Sequence, residues 1–136
     1  FDTTNVTDKS DMFSDRIKDG YYNLTTFDTK NLDTSNVTNM NCMFLGMMRL
    51  TSLDVSNFNT SKVTNMSYMF AYMPSLTALD VSKFNTSNVT TMGGMFVGIN
   101  IPSLDLSNFD TTNVIDKSDM FYDRIKDEQN EPGESA

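Results

Sequence analysis

A chain of 136 residues with a formal net charge of −8, no His, no Trp and a single Cys is one domain's worth of material with restricted chemistry. Without His, the imidazole-based triads and the commonest metal ligand are missing, so catalysis would rest on carboxylates alone. The acidic balance argues against nucleic acid and against docking on an anionic membrane, and no apolar run reaches the roughly 20 residues that insertion across a bilayer needs.

Residues 1–13, Phe-Asp-Thr-Thr-Asn-Val-Thr-Asp-Lys-Ser-Asp-Met-Phe, introduce a pattern that returns along the chain. Met-Phe falls at 12–13, 43–44, 69–70, 95–96 and 120–121, and Val6, Val37, Val63, Val89 and Val114 keep the same spacings of 31, 26, 26 and 25. A period of this size is the signature of stacked repeats, each too small to bury its own apolar face. In this first copy Lys9 stands in the place of Met66 and Asp11 in that of Tyr68, as expected of an end unit with one side open to water. Residues 14–26 then form a connection of 13 where the next copy has 8. Insertions of this kind map to loops on one face, often the binding face. Tyr21 and Tyr22, beside Gly20, are therefore candidate contacts for a sugar or a protein, with packing of the loop on itself as the competing reading.

Fuller copies open at Phe27, Leu53 and Leu79, and a last one at Leu104. Leu53 and Val55 fall on one face of an expected strand, Asp54 and Ser56 on the other. After the turn-forming run Asn59-Thr60-Ser61, Val63, Met66, Met69, Phe70 and Met73 are spaced 3, 3, 1 and 3. That spacing fits extended backbone from Val63 to Met66 and a helical turn from Tyr68 to Met73. These Met and Phe residues read as core, not as a cofactor or metal site. Cys42, with no partner for an internal disulfide, shares its place with Asp11, Tyr68, Gly94 and Asp119 and is expected to be exposed and chemically idle. Segment 109–127 repeats 1–19 at an offset of 108, with differences only at 7/115 and 14/122, which suggests duplication of a four-unit block in a longer parent. The expected organisation is one repeat solenoid over 1–127, with copies opening near 1, 27, 53, 79 and 104 and the insertion at 14–26. Residues 128–136 have the composition of a disordered tail.

The units Leu53-Asp-Val-Ser-Asn-Phe-Asn-Thr-Ser-Lys-Val-Thr-Asn-Met-Ser-Tyr-Met-Phe70 and Leu79-Asp-Val-Ser-Lys-Phe-Asn-Thr-Ser-Asn-Val-Thr-Thr-Met-Gly-Gly-Met-Phe96 resemble the BspA-like leucine-rich-repeat surface proteins of bacteria. In particular they resemble the repeat of unknown function first noticed in mycoplasmas. The resemblance covers residues 1–127 and implies an α/β repeat fold. This would be a leucine-rich-repeat-like parallel β-solenoid of four to five coils, each of 25–26 residues with short strands and a short helical turn. It also implies a secreted or cell-surface protein tied to adhesion or host contact, and it carries over no catalytic residue, cofactor or metal ligand.

Stacking would place equivalent residues about 4.8 Å apart, the spacing of neighbouring strands, so every exposed position becomes a ladder. Asp28, Asp54, Asp80 and Asp105 form one without exception. Such a file needs hydrogen bonds from local backbone N–H groups, a shared Ca²⁺, or a basic partner to offset its self-repulsion. Asp2, Asp33, Asn59, Asn85 and Asp110 mix acid and amide, so the oxygen matters there and the charge does not, which points to a turn cap. The file Thr3, Thr34, Thr60, Thr86 and Thr111 raises an ice-binding face as a remote reading. The leading expectation is a non-catalytic adhesion module that presents Asp28, Asp54, Ser56, Asp80, Ser82, Asp105 and Ser107, together with Tyr21 and Tyr22, to a host or matrix protein or glycan. The alternative is a structural protein that self-associates head to tail into filaments.

Overall fold

The computed structural model describes Thr7 and residues 24–121, and within them the chain turns a corner every few residues. The corners are Asx turns, in which a side-chain oxygen accepts the N–H two residues on. Asp54 takes it from Ser56 at 2.9 Å, Asn59 from Ser61 at 3.1 Å and Asn65 from Ser67 at 2.9 Å. Backbone turns with N–H(i+3) donating to C=O(i) follow or overlap them, as in Phe58 to Val55, Val63 to Thr60 and Met69 to Met66. The described members of the mixed Asp/Asn file are turn caps: Asp33, Asn59, Asn85 and Asp110 accept from Ser35, Ser61, Ser87 and Thr112.

Successive repeats are joined by backbone hydrogen bonds between equivalent rows. The N–H groups of Thr64, Thr90 and Ile115 donate back to the carbonyls of Thr38, Thr64 and Thr90 at 2.7–2.8 Å. A few residues later the direction reverses: Met40, Met66 and Met92 donate forward to Asn65, Thr91 and Asp116 at 2.8–2.9 Å. A third connection is made by buried Thr hydroxyls. The Thr60 hydroxyl accepts the Asn85 N–H at 2.8 Å and donates to the Asn85 carbonyl at 3.0 Å, and Thr34 and Thr86 do the same to Asn59 and Asp110. Thr34, Thr60 and Thr86 are no more than 2% exposed, so this file faces the interior and the next repeat.

The secondary structure corrects the expected class. Among the described residues there is no α-helix and no strand, and strand-like pairing is confined to three isolated parallel bridges, Asn39 to Asn65, Asn65 to Thr91 and Thr91 to Asp116. An α/β leucine-rich-repeat-like β-solenoid, with short strands and a helical turn per coil, is therefore not what the described residues form. The reason lies in where the N–H groups point. From Met40 to Gly46, every second N–H (Met40, Cys42, Phe44, Gly46) donates to the following repeat, while Met43 and Leu45 donate three residues back. An α-helix needs each of these donors four residues back, so the 3, 3, 1, 3 spacing is met by consecutive turns. Left-handed backbone at Cys42 (φ 58) and Gly46 (φ 80) excludes a right-handed helix there as well.

The core runs along the stack. Val63, Met66, Met69, Phe70 and Met73 are 0% exposed, and Val37, Met40, Met43 and Phe44 and Val89, Met92, Met95 and Phe96 repeat them above and below. Phe44, Phe70, Phe96 and Phe121 form a column of nearly parallel rings, with centroids 5.8 Å apart and planes within 9° of one another. A second column, Phe58 over Phe84 at 6.4 Å, packs against the first through Phe44 and Phe70. Offset stacks at this spacing add to area burial. In the last repeat Lys117 takes the place of Met92 in the core file and is exposed.

Candidate ligand-contact face

The Asp file is built by one local device. Asp28, Asp54, Asp80 and Asp105 each follow an apolar residue that turns inward, and each is exposed. Their Oδ1 atoms accept the N–H of Lys30, Ser56, Ser82 and Ser107 at 2.9–3.0 Å. For Asp54, Asp80 and Asp105 the side chain of the following Ser, then its N–H, holds the carboxyl below the ordinary value of 3.8. A weaker push in the opposite sense reaches Asp54 and Asp105 from the Asp80 charge, while Lys83 assists ionisation of Asp80. All three are thus carboxylates at neutral pH, able to accept hydrogen bonds and attract cations but holding no proton for acid catalysis. At Asp28 the partner Lys30 stands 3.8 Å away with both side chains at least 67% exposed, a solvated pair that contributes little to stability.

Two of these carboxylates share a groove. An open depression of about 450 Å³ is lined by Phe27, Leu53 and Leu79, by Ser52, Ala78 and Ser103, and by Asp54 and Asp80. Its rows are the repeat rows: three large apolar residues, three small ones and the acids. Asp28, Asp105 and the exposed Ser56, Ser82 and Ser107 lie outside this lining. Tyr21 and Tyr22, with residues 14–23 of the insertion and the tail, fall outside the described residues. Among the described residues, no group of three or more His, Cys, Asp or Glu gathers as metal ligands would, and no helix is long and apolar enough to cross a membrane.

A second exposed feature, missed in the sequence reading, is the pair Tyr68 and Tyr72, 42% and 46% exposed. Both have left-handed backbone, with φ of 56° and 57°. The row of Tyr68 contains Cys42, Gly94 and Asp119, all with positive φ, and the row of Tyr72 contains Gly46 and Gly98, also positive. The rings lie over the glycines of the following repeat: a Cβ on Gly94 would come within 2.7 Å of Tyr68 Cδ1, and one on Gly98 within 2.6 Å of Tyr72 Cδ1. The signal was available down the rows, since a position filled by Gly in other copies marks left-handed backbone. Cys42, expected to be exposed, is half-buried, with its Sγ 3.4 Å from Asn41 Oδ1.

The family described as Mycoplasma protein of unknown function, DUF285, matches residues 1–51 and 16–133. No curated protein and no solved structure gives a significant match.

Proposed function

The chain belongs to this DUF285 family of Mycoplasma proteins of unknown function, and from that premise we propose that it is a non-catalytic binding module of a bacterial cell surface. In this reading the groove along the Asp file takes basic, partly aliphatic side chains of a host or matrix protein. The observation that carries it is the lining itself. Asp54 and Asp80 stand beside Phe27, Leu53 and Leu79, which matches the two halves of a Lys or Arg side chain, an apolar stem and a charged end. The likeness of the repeat to BspA-like surface proteins supports the location and the adhesive role.

The test is binding of an immobilised oligo-lysine peptide to the wild type and to Asp54→Asn/Asp80→Asn. Asn retains the oxygen that caps the turn, as Asn59 and Asn85 do in the neighbouring file, so the fold is kept while the charge is removed. Binding is expected to fall at least tenfold in the variant and to weaken with added salt. Equal binding by both proteins would remove the groove from this role.

A further inference from the structure

Two tyrosines stand where the backbone suits glycine. Tyr68 shares its row with Cys42, Gly94 and Asp119, and Tyr72 with Gly46 and Gly98, and φ is positive at every one of these positions, a region that penalises a side chain. The backbone needs neither ring. Cys42, Tyr68 and Gly94 send their N–H groups forward to Ser67, Gly93 and Ser118 at 2.9–3.0 Å, and Gly46 donates to Ala71 at 3.0 Å as Tyr72 does to Val97 at 2.7 Å. Repeats without the rings thus make the same bonds. Non-glycine residues kept in such backbone concentrate where their side chains are used.

The rings are laid against the following repeat. A Cβ on Gly94 would be 2.7 Å from Tyr68 Cδ1 and 2.8 Å from Cζ, with Cε1 between them nearest of all. Near-equal distances to the two flanking atoms put Gly94 under the ring face and not beside its edge. The Tyr72 ring leans over Gly98 in the same direction, with Cδ1 2.6 Å from the corresponding point. Each ring therefore has one side on glycine backbone, yet 42% of Tyr68 and 46% of Tyr72 remain exposed. In the preceding repeat Gly46 has open space where a side chain would stand, so the Tyr72 row is clear on that side.

We propose that Tyr68 and Tyr72 form a stacking platform for a neutral glycan built of pyranoses with equatorial hydroxyls. Such a sugar presents C–H groups on its faces, which the negative face of an aromatic ring attracts, and its rim hydroxyls can exchange hydrogen bonds with the phenol groups. The row neighbours Cys42, Gly94, Gly46 and Gly98 carry no charge, which suits a neutral ligand better than a cation. Glycine also builds no walls, whereas a proline-rich peptide docks in an aromatic-lined groove. The platform shares no residue with the groove along the Asp file and does not rest on binding there.

The experiment follows the tyrosine ring signals of the full chain by NMR during titration with cellohexaose and with chitohexaose, both neutral and all-equatorial. The ring protons of Tyr68 and Tyr72 are expected to shift with both sugars. Tyr68→Gly/Tyr72→Gly, which installs the residue found at Gly94 and Gly98, is expected to keep the fold and to bind at least tenfold more weakly. Tyr68→Phe/Tyr72→Phe keeps the ring faces and is expected to retain most of the binding. Unmoved signals with both sugars would overturn the inference, and so would equal binding by the glycine variant. A decaproline peptide that shifted the same signals at lower concentration than either sugar would overturn it in favour of a peptide ligand. Should the glycine variant lose its fold, the wild-type titrations and the phenylalanine variant still decide.

Discussion

At the scale of the residue, the most consequential atom in each repeat is a threonine oxygen. The Thr60 hydroxyl, 1% exposed, serves both the N–H and the C=O of Asn85, so one side chain satisfies two backbone groups of the next repeat. Val has the same shape and neither capacity. Thr60→Val is expected to destabilise by about 1–3 kcal/mol, the cost of leaving a buried polar group without its partner. Thr60→Ser, which keeps the oxygen, is expected to cost about 1 kcal/mol or less for the lost methyl. Urea denaturation of the two variants checks the order; equal losses would mean that the methyl and not the hydroxyl matters. The Tyr68 row gives a second residue-scale outcome. Gly94→Ala puts a Cβ into the Tyr68 ring at a position with φ of 64°, so both a clash and a left-handed penalty of about 1–2 kcal/mol apply. In a Tyr68→Gly background only the second remains, and a double-mutant cycle is expected to return a coupling of about 1 kcal/mol or more between the two sites.

At the scale of the element, the repeat is a ring of capped turns, and this determines both its pH response and how far it can be read from sequence. Asp54, Asp80, Asp105, Asp110 and Asp116 all have carboxyls held below 3.8 by hydrogen bonds from the residue two positions on. A depressed folded-state value means that the stabilisation is fully present above the unfolded value. It is lost as pH falls below about 4 and through the lower folded values. The melting temperature is therefore expected to be flat from neutral pH to about 5 and to fall below about 4, with a smaller fall in Asp54→Asn/Asp80→Asn/Asp105→Asn, where three titrating caps become neutral ones. The caps at Asp33, Asn59, Asn85 and Asp110 were legible because Asp and Asn alternate there, and the core rows because Val, Met and Phe keep their spacing. The helical turn expected over Tyr68 to Met73 failed for a physical reason. Spacings of 3 and 1 describe which side chains point inward, and a run of turns points Met69, Phe70 and Met73 inward as well as a helix does. Only the N–H directions separate the two, and Met66, Tyr68, Phe70 and Tyr72 send theirs to the next repeat. The Asp file was open to three accounts in the sequence, and the hydrogen bonds from Ser56, Ser82 and Ser107 supply the local one. The groove beside it could not be read, because it depends on how Phe27, Leu53 and Leu79 line up across repeats.

At the scale of the whole molecule, contacts run from each repeat to the next, which makes register more important than any one repeat. The Phe column, the Thr hydroxyl bridges and the backbone bonds between repeats connect residues 24–27 positions apart, and 31 and 32 where Thr38 and Asn39 donate to Thr7. Stability in such an array is a sum of unit and neighbour terms. Removing residues 53–78, one full period of 26, would bring Phe44 under Phe96 and Thr34 under Asn85, each a pairing of the same residue types found now. That deletion is expected to leave a cooperatively folding protein whose denaturant m-value drops by roughly a quarter, in proportion to the surface it no longer buries. Removing 53–65 alone would instead set Val63's successors against the Asp file and bury carboxylates among Phe rings, a cost no remaining contact offsets. That second chain is expected to show no cooperative transition. If both deletions folded, or neither did, the contacts that matter would not be those between adjacent repeats, and the stacking of Phe44, Phe70, Phe96 and Phe121 would have to be a consequence of the fold and not its cause.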